Sequence, residues 1–212
     1  MSVSLEDLVK AIEDAKKASV KRRFTQSLEL IITYSDLDLK KLGRINEVIQ
    51  LPHPFGRLSK VCVIADGDVA LKAKQLADGL VDKDCLNKCL NDKKYARNIA
   101  KSYDFFIAQA DLMPLVGRAL GPFLGPRGKM PILLPSISVL EALVDRLRKS
   151  TRVRMKDQPV VQAFIGYEDE DSGKIAENAK TIIDGMKERL KVPHKVKNIY
   201  VKTTMGPLIR VL

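Results

Sequence analysis

The run Val61-Cys62-Val63-Ile64 is short, continuous and apolar, and the polar turn Asp66-Gly67-Asp68 follows it closely. A second run of the same kind, Phe105-Phe106-Ile107-Ala108, lies farther along the chain. Such runs are typical of strands that are buried on both faces, as in a parallel sheet. Segments with helical periodicity lie between and after these runs, at 69–76, 84–90, 96–101 and 139–148. The alternation predicts a three-layer α/β domain over residues 57–153.

The two ends of the chain have a different pattern. Ser4 followed by Glu6 and Asp7 is a helix start, and the spacing of apolar residues predicts a helix over Leu5–Ala18. Apolar residues then alternate with polar ones in four stretches that we expect to be strands, at 27–34, 45–51, 160–165 and 196–203. A long amphipathic helix is predicted over 175–190.

Neither end is long enough to form a comfortable core alone, because domains of about 60 residues are marginal. We therefore expect residues 1–56 and 154–212 to form one discontinuous α+β sandwich, into which the α/β domain is inserted. The chain would cross between the two domains near 55–59 and again near 150–154, where hinge motion is possible.

The composition is that of a globular protein, with 45% hydrophobic and 30% charged residues. No long apolar run or signal-peptide pattern occurs, so we expect a cytoplasmic protein with no membrane partner. The three cysteines are an odd number, which does not indicate a disulfide framework and fits a reducing compartment. The formal net charge of +11 favours a polyanionic partner, and nucleic acid is the leading candidate.

The excess of positive charge is concentrated in the middle of the chain. Residues 57–153 contain 17 basic and 10 acidic side chains, a net of +7, against +1 for residues 1–56 and +3 for residues 154–212. By charge alone, the polyanion would bind the middle domain, although sequence totals ignore how charges cluster in space.

The glycine- and proline-rich segment 117–131 is the most unusual part of the sequence. Its glycines permit close approach of the backbone, and Arg118, Arg127 and Lys129 supply cations, so a phosphate-contacting loop is reasonable. The spacing does not fit a nucleoside-triphosphate loop or a dinucleotide fingerprint. A rigid turn beside the hinge is the alternative interpretation.

Two further segments have the chemistry of a single-stranded RNA contact. In residues 21–26 the aromatic ring of Phe24 lies among basic residues, and could stack on a base or ribose unless it is part of the core. In residues 202–207, hydroxyl groups adjoin Met205 and Gly206 at the end of a predicted strand, an arrangement that suits a ribose face but also an ordinary structural turn.

Catalysis has little support in the sequence. The histidines, His53 and His194, have no nucleophile nearby in sequence. Cys85 and Cys89 are expected to pack on a helix, since no second pair of metal ligands follows them. The acidic run 168–171 is best explained as a helix entry. We therefore predict no catalytic residue, no metal and no cofactor.

Taken together, these segments resemble a known family. Residues 113–131 are similar to the signature of the ribosomal protein L-one family, and Thr203-Thr204-Met205-Gly206-Pro207 is similar to its C-terminal motif. Leu51-Pro52-His53 and Ala176-Glu177-Asn178 also resemble it. The resemblance extends over essentially the whole chain, and the short length looks archaeal.

The resemblance implies a structural protein of the large ribosomal subunit, not an enzyme, with an inserted Rossmann-like domain. It implies binding to the ribosomal RNA junction of a mobile stalk near the exit site, and assistance to the release of deacylated tRNA. It also implies repression of translation through binding to the protein's own mRNA. Such a protein would be located on the cytoplasmic ribosome and be a monomer away from it.

The resemblance places the main RNA surface on the discontinuous domain, against the indication from charge. The RNA-binding residues it implies are Arg23, Phe24, Thr25, Gln162, Asn198, Lys202, Thr204, Met205 and Gly206. Gln162 and Asn198 depart from the residues that relatives often have, histidine and serine. Arg118, Arg127 and Lys129 become secondary RNA or hinge residues.

Two other functions remain open from the residues themselves. One is a nucleotide-dependent enzyme with a Rossmann-like domain, suggested by residues 61–68, although the phosphate fingerprint is absent. The other is a protein-only interaction module whose basic surface faces an acidic partner.

Overall fold

The computed structural model describes residues 3–35, 45–155, 158–190 and 196–211. The chain is a mixed α/β protein with one antiparallel and one parallel sheet. It divides into two compact units, which we call the terminal unit (Met1–Arg57 with Lys149–Leu212) and the inserted unit (Leu58–Arg148).

The described residues form the following helices and strands, given in chain order. The helices are α1 (Leu5–Ala18), α2 (Gly67–Leu76), α3 (Lys83–Asn91), α4 (Lys93–Ser102), α5 (Met113–Ala119), α6 (Gly121–Leu124), α7 (Leu140–Arg148) and α8 (Ser172–Leu190). The strands are β1 (Ser27–Tyr34), β2 (Ile45–Gln50), β3 (Val61–Ile64), β4 (Gly79–Val81), β5 (Phe105–Gln109), β6 (Ile132–Leu134), β7 (Ser150–Met155), β8 (Val160–Tyr167), β9 (Val196–Thr203) and β10 (Ile209–Arg210).

The terminal unit is built on a six-stranded antiparallel sheet with the order β10-β9-β1-β8-β7-β2. The first strand of the chain, β1, therefore lies between two strands from the other end. Leu28, Leu30 and Ile32 alternate along β1 and are fully buried, in one core with residues of α1 and α8. The two helices pack against each other and against this face of the sheet.

Helix α1 has the bounds that the sequence predicts. The Ser4 hydroxyl accepts a hydrogen bond from the Asp7 amide, and acidic residues occupy the first turn and lysines the last, which favours the helix dipole. Leu8, Ile12 and Ala15 form its buried stripe. The predicted late helix is also present as α8, which begins three residues earlier than expected.

The inserted unit contains a four-stranded parallel sheet with the order β4-β3-β5-β6. Every residue of β3 is buried, as expected for a strand covered on both faces. Cys62 and Phe106 belong to a core cluster with residues of α3 to α6. The alternate residues Val61 and Val63 are buried outside that cluster, and α2 and α7 contact β3.

The second crossing lies earlier than the sequence analysis places it. The expected division between residues 153 and 154 falls inside β7, which pairs with β2 from Gln50↔Ser150 to Ile45↔Met155. The compact units divide after Arg148 instead. The reason is that basic and apolar residues alternate from Arg152 to Met155 and belong to one strand, β7, which is part of the terminal sheet.

The glycine- and proline-rich segment is not an extended loop. Residues 117–119 end the short helix α5 and residues 121–124 form the short helix α6; Pro114 and Pro122 each lie in a first turn. Proline is well tolerated there, because the first amides of a helix have no partner within it. A turn with Gly128 at φ 64° follows. The segment is therefore two short helices and a turn, and not one continuous loop.

Asn178 joins two segments that the sequence analysis identified separately. It is 1% exposed, its Oδ1 accepts from the His53 amide, and its Nδ2 donates to the carbonyl oxygens of His53 and Ile165. The side chain of Asn178 thus attaches the segment around His53, which precedes the first crossing between the units, to helix α8 and strand β8.

We predict that Asn178→Ala lowers the free energy of unfolding by about 2–4 kcal/mol, because three hydrogen bonds are lost and buried backbone groups are left without a partner. Urea unfolding followed by circular dichroism measures this. Glu177→Ala is the control: its exposed carboxylate pairs with the His53 ring, and its loss should cost less than about 1 kcal/mol. Equal effects of the two substitutions would contradict the assignment.

Candidate nucleic-acid interface

The structure brings together two of the sequence segments that were singled out from opposite ends of the chain. The Met205 amide donates to the Gln26 Oε1 at 3.1 Å, and the Thr204 amide donates to the Ser27 carbonyl at 3.0 Å. The segment before β1 and the segment after β9 are therefore direct neighbours, because β1 and β9 pair in the same sheet.

Gln26 is the centre of this arrangement, and its side chain is completely buried. Its Nε2 lies within hydrogen-bonding distance of the Ser19 hydroxyl, the Val20 carbonyl and the Glu168 carboxylate. The backbone N–H of Gln26 also donates to the Glu168 carboxylate, at 3.0 Å. One side chain thus connects the end of α1, the start of β1, the end of β8 and the turn after β9.

The hydroxyl of Thr204 is used within the protein. Its Oγ1 accepts from the Ser27 amide at 3.1 Å and lies 2.9 Å from the Ser27 hydroxyl and 3.3 Å from the Ser27 carbonyl. A hydroxyl has one proton and two lone pairs, so these three contacts satisfy it. Thr204 is therefore a residue that positions the two segments.

Gly206 lies where no side chain fits. Its amide donates to the Thr203 carbonyl, and a Cβ at this position would stand 2.2 Å from the Thr203 Oγ1. Thr203 is fully buried and its hydroxyl donates to Ser19. The glycine thus allows the turn after β9 to lie against the end of α1.

Large apolar side chains are exposed around this buried network. Phe24, two residues before Gln26, is 53% exposed, and Met205 is 59% exposed. Val20 and Leu208 are exposed to a similar extent. Phe24 is therefore not a core residue, which was the alternative interpretation. We refer to Val20, Phe24 and Met205, which all adjoin Gln26 in sequence or through hydrogen bonds, as the apolar tip.

Basic residues adjoin the apolar tip. Lys21, Arg22 and Arg23 are exposed, and so is Thr25. Apolar stacking surface beside cations suits unpaired nucleotides, since an aromatic ring and a thioether can pack on bases or ribose while cations contact phosphates.

The predicted residues Gln162, Asn198 and Lys202 share one face of the sheet. Ile199, Val201 and Val161 point toward the helices and are buried, so their alternating neighbours lie on the opposite face. The strand register places Gln162 and Tyr200 on either side of Ile31, and Asn198 and Lys202 beside the neighbouring positions of β1.

Sequence reasoning missed further polar residues on this face. Arg154 stands opposite Gln162, and Arg210 stands opposite Tyr200. Partial burial lowers the pKa of Arg154 from its ordinary value, by desolvation. The signal that could have revealed these residues is the alternation of Arg152, Val153 and Arg154, which was divided by the expected domain boundary.

The three cations of the glycine- and proline-rich segment differ in their surroundings. Arg118 is exposed and Arg127 is half-buried. Lys129 has a side chain only 17% exposed, and its Nζ donates to the carbonyl oxygens of Ala100 and Tyr103 at the end of α4. Lys129 therefore caps a helix C-terminus within the inserted unit. All three belong to that unit and not to the one that carries the apolar tip.

The acidic run 168–171 has structural partners. Glu168 holds Gln26, and Glu170 accepts from the amides of Gly56 and Tyr167. Asp171 accepts from the Lys174 amide in the first turn of α8, as expected for a helix entry.

The inserted unit offers little to a nucleotide. Asp66 and Asp68 begin α2 after β3, and Asp111 follows β5, so carboxylates stand where a phosphate would approach.

Burial raises the pKa of the Cys62 thiol to about 12 and that of Cys89 to about 11, so both stay protonated. His53 contacts Glu177, and His194 lies outside the described residues. Within the described ranges, no helix has the length and apolarity to span a bilayer.

Comparison with known proteins gives a consistent result over the full chain. The most similar relatives include the large ribosomal subunit protein uL1 of Thermofilum pendens, which is 51% identical over 99% of this chain and 94% of its own length. The proteins of the same name from Methanothermobacter thermautotrophicus and Archaeoglobus fulgidus are each 44% identical, over 98% and 100% of this chain and 99% and 100% of their own lengths. Residues 7–207 match the Ribosomal protein L1p/L10e family, and the chain therefore belongs to that family.

Proposed function

We propose that this protein is a structural constituent of the large ribosomal subunit and binds ribosomal RNA through its terminal unit. Its relatives are named as large-subunit proteins, and the family is one of structural proteins and not of enzymes. One observation carries the proposal for the site. The buried side-chain amide of Gln26 joins the segment after α1 to the turn after β9. Phe24 and Met205, which adjoin Gln26 in sequence or through a hydrogen bond, are exposed near cations.

In this proposal the apolar tip packs on bases or ribose, while Arg23 and Lys202 contact phosphates. Thr25, Gln162 and Asn198 offer hydrogen-bonding groups that could recognise 2′-hydroxyls or base edges. The Thr204 hydroxyl acts by holding Ser27, and Gly206 acts by allowing the turn. These two residues therefore position the contact surface.

We propose that the terminal unit is a discontinuous RNA-binding domain and that the inserted unit is a Rossmann-like domain. The proposal is supported by the parallel sheet and by the division of the chain at 57/58 and 148/149. Residues 57–58 and 148–149 would then be the hinge.

The finer roles follow from the family resemblance alone. We propose the stalk junction near the exit site as the RNA, assistance to release of deacylated tRNA, and repression through the protein's own mRNA. The protein would act on cytoplasmic ribosomes and be a monomer when free. The basic surface and the absence of a phosphate fingerprint favour this function over a nucleotide-dependent enzyme.

A salt titration tests the function as a whole. Filter binding should give an affinity for stalk-junction RNA about 1,000-fold higher than for an unrelated RNA duplex at the same salt concentration. Both affinities should fall as salt rises, because phosphate contacts release counterions. Equal affinities at every salt concentration would exclude specific recognition. Co-purification that survives ribonuclease treatment would favour a protein-only module.

We predict that Thr204→Val shortens the lifetime of the junction complex by about 10-fold or more. Valine has the shape of threonine but leaves the Ser27 amide and hydroxyl without their partner, the Thr204 Oγ1. Lys60→Ala, an exposed cation of the inserted unit, should change the lifetime less than about 2-fold, since exposed charges mainly affect encounter. Dissociation from surface-immobilised RNA measures both, and small equal effects would refute the role of Thr204.

We predict that Phe24→Ala and Met205→Ala each weaken junction binding by about 10- to 100-fold, the usual cost of losing a stacked base. Thermal stability should hardly change, because both side chains are more than half exposed. Leu71→Ala is the matched control, an apolar side chain that is 69% exposed on the inserted unit. If all three variants bind equally well, the apolar tip is not the contact surface.

A further inference from the structure

Helix α4 of the inserted unit has an unusual distribution of charge. Its exposed residues include Lys93, Lys94, Arg97 and Lys101, and none of its residues is acidic. Residues four apart on a helix lie on one face, so Lys93, Arg97 and Lys101 form a row and Lys94 lies beside it. We call these four residues the α4 stripe.

Within the part of the chain that the structure describes, no carboxylate forms an ion pair with the α4 stripe. The nearest acid in sequence, Asp92, is occupied as the helix cap, since its Oδ1 accepts from the amides of Lys94 and Tyr95. At the other end, Asp104 accepts from the Lys60 amide and lies 3.8 Å from the Lys129 Nζ. The charge of the stripe is thus not neutralised by ion pairs with the described residues.

The stripe is unfavourable for the helix itself. Like charges four residues apart repel, and Lys93 and Lys94 lie in the first turn, where the helix dipole disfavours cations. Helices α1, α2, α3 and α7 have the opposite arrangement, with an acid in the first turn and a base in the last. Because these cations lower the stability of the helix, we infer that they have a role in function and not in folding.

We propose that the α4 stripe binds the phosphate backbone of an RNA duplex without regard to sequence. The cations recur every 6 Å or so along the helix, at about 1.5 Å per residue, and a nucleic-acid strand offers a phosphate about every 3.4 Å of its axis. The stripe can therefore contact several phosphates at once. That the polyanion is RNA rests on the proposed function, under which ribosomal or transfer RNA surrounds the protein.

Other partners fit the stripe less well. The apolar face of α4, Ala96, Ile99 and Ala100, is buried in the core of the inserted unit, so that face does not insert into a membrane surface. A protein interface needs a desolvated core in which aromatic residues are common and lysine is rare. The aromatic residue on this helix, Tyr95, donates its hydroxyl to Cys85.

The glycine- and proline-rich segment contacts the end of α4. Lys129 holds the turn after α6 against the last turn of α4, through Ala100 and Tyr103. Arg127 lies two residues before Lys129 in that turn and is half-buried. The segment thus gives α4 a favourable C-terminal cap.

The test compares two triple variants of the full chain that lose the same charge. The stripe variant is Lys94→Gln, Arg97→Gln, Lys101→Gln, and the control variant is Lys60→Gln, Lys72→Gln, Lys74→Gln. All six side chains are exposed in the inserted unit, and glutamine is a good helix former. Binding of a labelled RNA duplex of unrelated sequence is followed by fluorescence anisotropy from 50 to 200 mM KCl.

We expect the stripe variant to bind the duplex about 10-fold more weakly at 50 mM KCl, and the control variant less than about 3-fold. The slope of log K against log salt should fall by about 2 to 3 in the stripe variant, at about 0.9 per lost phosphate contact. The charge-preserving variant Lys94→Arg, Arg97→Lys, Lys101→Arg should bind as wild type does. Equal weakening by the stripe and control variants would overturn the proposal, because only net charge would then matter.

Two competitors and one further readout separate the remaining outcomes. If polyglutamate or anionic phospholipid vesicles bind the stripe better than the duplex does, the partner is not RNA and the proposal is wrong. Junction binding through the terminal unit should be unchanged in the stripe variant. If wild type does not prefer junction RNA, the proposed function fails, while the difference between the two triple variants still reports on the stripe.

Discussion

The side-chain amide of Gln26 is the interaction on which the candidate interface depends. A buried amide must satisfy its donors and its acceptor inside the protein, since water cannot reach them. Gln26 does so with Ser19 and Val20 on one side and Met205 on the other. The need to satisfy one buried polar group thus fixes the distance between two chain segments, and the exposed tip is a consequence of that constraint.

The topology of the terminal unit explains why these segments can meet. Strand β1 lies between β8 and β9 and runs antiparallel to β9, so the start of β1 and the end of β9 lie at the same end of the sheet. The insertion does not disturb this, because Gln50 pairs with Ser150 and the Leu51 amide donates to the Lys149 carbonyl. The chain leaves the sheet and returns to it at adjacent points, and the sheet is continuous across the insertion.

Regular elements with one dominant signal could be predicted from the sequence. Helix α1 has a cap, a dipole pattern and a single apolar stripe, and β3 is a run that only a doubly covered strand explains. Features that depend on distant partners could not. Gln26 is an ordinary polar residue in sequence, and its burial follows from Glu168 and Met205, which are more than 140 residues away. The strand β7 was divided because its partner, β2, precedes the insertion.

The cations of this protein illustrate why charge must be read with its surroundings. Lys129 belongs to a segment that looks like a phosphate loop, yet its charge is used on the carbonyl oxygens of α4. Arg97 belongs to a helix that no motif marks, yet it is exposed in a row of cations with which no described carboxylate forms an ion pair. A sequence total gives both the same value. Cations that neutralise phosphates release the counterions condensed on the polyanion, and a cation already bound to backbone carbonyls contributes little to this free energy of binding. For this reason the net charge of a segment indicates that a polyanion binds, whereas burial and hydrogen-bond partners indicate where it binds.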